Sequence, residues 1–164
     1  MSSALLGAFT AFHVAISLVA IMAGFVVVFN MLGGTASKGW TATFLWTTLA
    51  TSVTGFMFPF NGFTPAVGTG IVALLVMIPT LIAIYGKKLA GFWRPTYVVG
   101  AVISLYLNFF VLIVQSFLKI PALNVLAPTQ KEPPFAIAQG LAFVLFVGLG
   151  IAAVRKFRPA VVPA

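Results

Sequence analysis

The sequence predicts an all-α protein whose solvent is the lipid bilayer. It reads as one helical bundle domain over 1–164 with five transmembrane spans, the N-terminus outside and the C-terminus cytoplasmic. Three observations predict this. The chain is 62% hydrophobic and 6% charged, whereas about 25% of an ordinary soluble domain is charged, so too little polar surface exists to coat a water-soluble fold. The apolar residues fall into runs close to the ~20 residues that a spanning helix needs. The nine Lys and Arg sit in the gaps between those runs, against a single acid, Glu132. The same composition excludes disorder, collagen and coiled coil.

Each span is bounded by residues that end a helix. The first covers roughly 5–32 and stops at Gly33-Gly34. It lacks a basic leader and outruns the ~7–15-residue apolar core of a signal peptide, so it reads as a retained membrane helix. At 1.5 Å per residue it reaches ~42 Å, beyond a ~30 Å hydrocarbon core, which predicts tilt or protrusion. The second span, 41–58, carries Thr41, Thr43, Thr47, Thr48, Thr51, Ser52 and Thr54 but no charge. Hydroxyls in a helix can bond back to the preceding turn, so it stays a span. Asn61-Gly62 marks a turn, and Thr64-Pro65 offers an N-cap with Pro at the first helical position of the third span, 66–86. Pro79 inside that span removes a backbone donor and crowds the carbonyl of Leu75, which predicts a bend. Gly86-Lys87-Lys88 ends it, Arg94-Pro95 opens the fourth span, 96–118, and Glu132-Pro133-Pro134 opens the fifth, 135–154. The loop 119–134 is stiffened by Pro121, Pro128, Pro133 and Pro134, and 122–127 has room for one interfacial helical turn.

Orientation follows from the cations. With five spans, Lys38, Lys87, Lys88, Arg94, Arg155, Lys156 and Arg158 share one side, and Lys119 and Lys131 the other. The positive-inside rule makes the first side the cytoplasm. Trp40, Tyr85, Trp93 and Tyr97 then form an aromatic belt at that interface. A four-span alternative drops the second segment and puts both termini on one side. The net charge of +8 thus reads as orientation and not as nucleic-acid binding, for which no basic stripe exists.

The helix faces carry few chemical groups. The fifth span shows small residues at four-residue spacing, Ala136, Gly140, Val144, Gly148 and Ala152, a pattern expected to pack within the chain. The first shows His13, Ser17, Ala20 and Gly24 on one face. On the fourth, Tyr97, Ser104, Asn108, Gln115 and Lys119 form a polar stripe, and amides facing lipid are costly unless bonded, so the stripe should face the bundle. His13 is the only histidine, and it is expected to hydrogen-bond a hydroxyl or a neighbouring helix. Glu132 at the start of the fifth span is placed to favour the helix dipole.

There is no carboxylate pair, Ser-His-Asp set, metal-ligand cluster or phosphate-binding glycine loop. With no cysteine, thiolate chemistry is excluded as well. The chain therefore reads as a membrane protein with no catalytic chemistry of its own and no implied cofactor. It would bind membrane lipid or a small apolar ligand between its helices, or serve as an accessory subunit in a homo-oligomer or larger membrane complex. The cleft candidates are His13, Ser17, Thr48, Ser52, Tyr97, Ser104, Asn108 and Gln115. Two alternatives remain open: a passive channel or facilitator for a small solute, and a haem-b electron carrier with His13 of two chains as axial ligands.

Three stretches, TGFMFPFNGFTPA at 54–66, LAGFWRPTYVVGAVISLYLN at 89–108 and LKIPALNVLAPTQKEPPF at 118–135, with RKFRP at 155–159, carry a resemblance. The chain resembles a group of small bacterial inner-membrane multi-helix proteins with no assigned activity. The resemblance implies the bacterial cytoplasmic membrane and brings no ligand or site residue with it.

Overall fold

The computed structural model describes residues 2–59, 62 and 65–159, with the side chains of 65 and 66 left aside, and among them every regular element is helical. Five helices are long: α1 (Ser3–Leu32), α2 (Lys38–Gly55), α3 (Pro65–Leu81), α4 (Trp93–Lys119) and α6 (Pro133–Lys156). The short α5 (Pro121–Leu126) occupies the expected place in the proline-rich loop. Past Pro79, α3 changes to a π-helical turn, Ile82–Gly86, before Lys87. The turn expected at Asn61 and the cap expected at Thr64 lie outside the described residues. Gly62 has φ +80°, a conformation open to a residue without Cβ.

Four helical stretches, Ser3–Leu32, Val67–Gly86, Trp93–Lys119 and Pro133–Lys156, are long and apolar enough to cross a membrane. The protein is thus a multi-helix chain with the character of a multi-pass membrane protein. α2 is not among the four, because its hydroxyl residues lower its hydropathy. It is nonetheless a continuous helix packed against α1. Its hydroxyls are mostly spent inward: Thr41, Thr48 and Ser52 are buried, and Thr47, Ser52 and Thr54 donate to carbonyls four residues back.

The first four long helices close a ring, in which α1 packs on α2, α2 on α3, α3 on α4 and α4 on α1. α6 lies outside the ring against α4 and α1. Phe146 anchors it there, 6.0 Å from the Phe25 ring and 5.6 Å from Phe109. Successive long helices run in opposite directions. His13 near the start of α1 meets Thr54 at the end of α2, and Tyr97 near the start of α4 meets Phe157 just past α6. One end of the bundle therefore gathers Lys38, Lys87, Lys88, Arg94, Arg155, Lys156 and Arg158. Here Lys87 sits 5.9 Å over the Trp93 ring, and Arg94 donates to the carbonyl of Phe157, tying α4 to the end of α6. At the opposite end, α5 and its flanking loop are fastened to α4. Asn124 Nδ2 donates to the Phe117 carbonyl (3.1 Å) and Gln130 Nε2 to that of Val114 (2.9 Å).

Three expectations need correction. Tyr97 is no belt residue: it is 1% exposed and lies beside the Thr41 side chain. Its ring centroid is 5.9 Å from that of Phe157. It lies on the inner face of α4, where burying a ring outweighs keeping it at the interface. The small-residue ridge of α6 faces outward. No atom lies within 4 Å of where a Cβ would stand on Gly140 or Gly148, and Val144 is exposed. α6 packs instead through Ala142, Phe146 and Ala153, because the aromatic groove of α1 and α4 takes a large side chain. Glu132 stands at the N-cap of α6 as expected, and only its side chain departs, making no cap hydrogen bond. Its carboxylate turns back to the loop and accepts from Thr129 Oγ1 (2.8 Å), Thr129 N–H (3.3 Å) and Lys131 N–H (3.0 Å).

Candidate functional site

At the end opposite the seven cations, the ring of α1–α4 is hollow. The cavity measures about 710 Å³ and extends along α1 from Leu6 to Ile21 and along α4 from Leu107 to Ile120. Thirteen or more residues at 1.5 Å rise make it ~20 Å deep. Phe56, Phe58 and Pro59, just past α2, close one wall.

The size of the inward side chains explains why the ring is open here and shut below. Toward the cationic end, Phe44, Leu45, Met77 and Leu105 are at most 1% exposed. They close on Gly24, where an added Cβ would stand 2.6 Å from Leu105 Cδ1 and 2.8 Å from Phe44 Cε2. Two turns along the same helices the inward residues are Ser17, Thr51, Ser52, Gly70, Ala73 and Leu112. Small residues on three helices leave a void that a rigid backbone does not collapse to fill.

The cavity lining is mainly apolar with a polar band. His13 Nδ1 and Thr54 Oγ1 are 2.8 Å apart, and the Phe58 ring meets the imidazole edge-on at 5.0 Å. Ser17 Oγ donates to the His13 carbonyl (2.7 Å) and lies 3.5 Å from Thr51 Oγ1. Asn108 Nδ2 donates to Thr48 Oγ1 across the ring (3.2 Å). Gln115 and Lys119 line the α4 wall with exposed side chains.

Of the eight cleft candidates, His13, Ser17, Ser52, Asn108 and Gln115 line the cavity. Thr48 stands behind Asn108 as its acceptor. Tyr97 lies at the other end, and Ser104, one turn below Asn108, is 1% exposed with its hydroxyl unbonded. The stripe on α4 is therefore divided by depth. Sequence reasoning passed over Thr51, Ser116 and the Phe56–Phe58–Pro59 wall. Thr51 was signalled by its place beside Ser52, whereas the wall follows the end of α2, where no helical periodicity points.

Among the described residues, no three His, Cys, Asp or Glu side chains gather to hold a metal. No protein-family model, curated protein or solved structure matches the chain.

Proposed function

We propose that this chain is a five-span protein of a bacterial inner membrane that holds membrane lipid or a small apolar molecule inside the α1–α4 ring, with no catalytic chemistry of its own. The cavity carries the reading. Its volume of about 710 Å³ falls within the ~300–1,000 Å³ of small-molecule pockets, and an apolar lining with a few placed polar groups is their usual composition. A solute pathway would have to cross the layer of Phe44, Leu45 and Leu105, each 0% exposed, which is why binding is preferred to passage. His13 is held against α2 by Thr54, on the inner side of the bundle.

The test is native mass spectrometry of protein extracted gently from its own membrane. Wild type is expected to carry a lipid or small apolar adduct, and Val111→Trp, which fills the cavity from α4, to lose it without loss of melting temperature. A bare wild-type chain, or solute flux in liposomes above that of empty vesicles, overturns the reading.

The orientation is proposed from the seven cations at one end, which the positive-inside rule assigns to the cytoplasm. The chain has no cysteine of its own, so one placed beside Lys87 should resist an impermeant thiol reagent added outside intact cells. One placed beside Glu132 should react. The reverse pattern would invert the map.

A further inference from the structure

The hydrogen bonds around His13 favour one of its two neutral tautomers. Thr54 Oγ1 lies 2.7 Å from the Ala50 carbonyl oxygen and 2.8 Å from His13 Nδ1. The two carbonyls beside Thr54 Oγ1, of Ala50 (2.7 Å) and Thr51 (3.2 Å), can only accept, so back-bonding of the hydroxyl to its own helix takes its single proton. Thr54 can then only accept from the ring, which makes Nδ1 the protonated nitrogen. Nε2 keeps its lone pair and has no partner among the described residues, and His13 lines the cavity.

The same count applies to four of the hydroxyls around the cavity. Thr10 Oγ1 donates to the Leu6 carbonyl (2.8 Å), Ser17 to His13 (2.7 Å), Ser52 to Thr48 (2.9 Å) and Ser116 to Leu112 (2.8 Å). Each has spent its proton on its own helix and offers the cavity an oxygen lone pair. On the α4 wall, which runs antiparallel to α1, Gln115 lines the same cavity, with an amide that has no hydrogen-bond partner among the described residues. One polar band thus presents an acceptor on α1, imidazole Nε2, and a donor on α4, the Gln115 amide. Among the described residues that line the cavity there is no carboxylate, and the one charged residue, Lys119, stands a turn further out.

We propose that this band recognises the hydroxyl of a neutral amphiphile, an aliphatic alcohol or phenol with an apolar body. The ligand hydroxyl donates to His13 Nε2 and accepts from Gln115, and the body lies along Val14, Leu18, Ile21, Val111 and Leu112. A hydroxyl both donates and accepts, which matches an acceptor and a donor in one lining. A carboxylate or phosphate would leave the imidazole lone pair facing a second acceptor, and a hydrocarbon would satisfy neither partner. The proposal rests on the ligand-binding reading above and names the chemical class that the site takes.

Because His13 is the only histidine, a ¹⁵N-histidine-labelled protein in phospholipid nanodiscs gives one pair of imidazole signals. Without ligand, Nδ1 should show the protonated pyrrole-type shift and Nε2 the unprotonated pyridine-type shift. 1-Dodecanol should move the Nε2 signal upfield, while dodecane and dodecyl methyl ether should leave it in place. Gln115→Leu should weaken the dodecanol response severalfold without changing the resting tautomer. If dodecane and dodecanol both add to the wild type in native mass spectra, and not to Val111→Trp, while Nε2 stays still, the ligand-binding reading stands and the hydroxyl assignment falls. If dodecanoate binds most tightly, and loses that advantage in Lys119→Gln with Nε2 unmoved, the site is an anion site and the proposal is overturned. If neither hydrocarbon nor alcohol binds, both readings fall together.

Discussion

The two halves of the α1–α4 ring are built from the same four helices and behave differently. In the cationic half, Phe44 and Leu105 meet over Gly24, and the space between Tyr97, Thr41 and Phe157 is too small for a water molecule. In the other half, two turns away on each helix, Ser17, Ser52 and Leu112 face a cavity of about 710 Å³. The helix axes cannot follow each change of side chain, because the closed layer already fixes their spacing. The cavity is thus held open by the packing of its neighbour. A stable half and a hollow half are complementary parts of one design in which large residues set the distance and small ones leave the room.

The sharpest way to break this comparison is to make the same substitution in both layers. At Gly24 the first added carbon would already lie 2.6 and 2.8 Å from side chains that are 0% exposed, with nowhere to retreat. Gly24→Val is therefore expected to cost about 3 kcal/mol or more, the upper range of core overpacking. Ser17→Val, one heptad away on the same face, projects into open space. It forfeits a hydroxyl bond to its own helix and should change stability by about 1 kcal/mol or less. Unfolding monitored in nanodiscs against denaturing detergent measures both. Equal costs at the two positions would mean that the cavity half is as tightly packed as the other, and the contrast would be lost.

The sequence made the helices legible, and it made their inward residues legible only in part. Gly33-Gly34, Gly86-Lys87-Lys88 and Glu132-Pro133-Pro134 punctuate the chain through local backbone chemistry, and the structure ends or starts helices at each. His13, Ser17 and Gly24 were readable as one face because helical spacing alone places them together. The division of the α4 stripe was not. Tyr97 and Gln115 share a face by angle, yet one is sealed in by Thr41 and Phe157 and the other stands in the cavity. What separates them is the size of residues on other helices, and no periodicity within α4 contains that. The ridge of α6 misled for the related reason that small residues permit close approach without requiring it. Phe146 found a deeper groove on the other face.

The loop end of the bundle sharpens the comparison in the mildest way. Some desolvation of Glu132 raises its pKa, but hydrogen bonds from the Thr129 hydroxyl and from the backbone N–H groups of Thr129 and Lys131 outweigh it. The carboxyl is held below its ordinary value of 4.5. A carboxylate with a depressed folded pKa adds stability that is fully present above the unfolded value and is lost as pH falls through the folded one. Melting temperature in nanodiscs should therefore drop slightly as pH falls below about 4.5, and Glu132→Gln should flatten that drop while lowering the plateau at neutral pH by a small amount. The residue is at the surface, where solvent screens the interaction, so this effect is expected to be the smallest of those named here. The cavity lies within the ring, and no carboxylate is among the described residues that line it. Alcohol binding at neutral pH should thus be the same in Glu132→Gln as in wild type. A loss of binding in that variant would mean that the loop and α5 help to hold the cavity open, and the closed layer around Gly24 would no longer be its sole support.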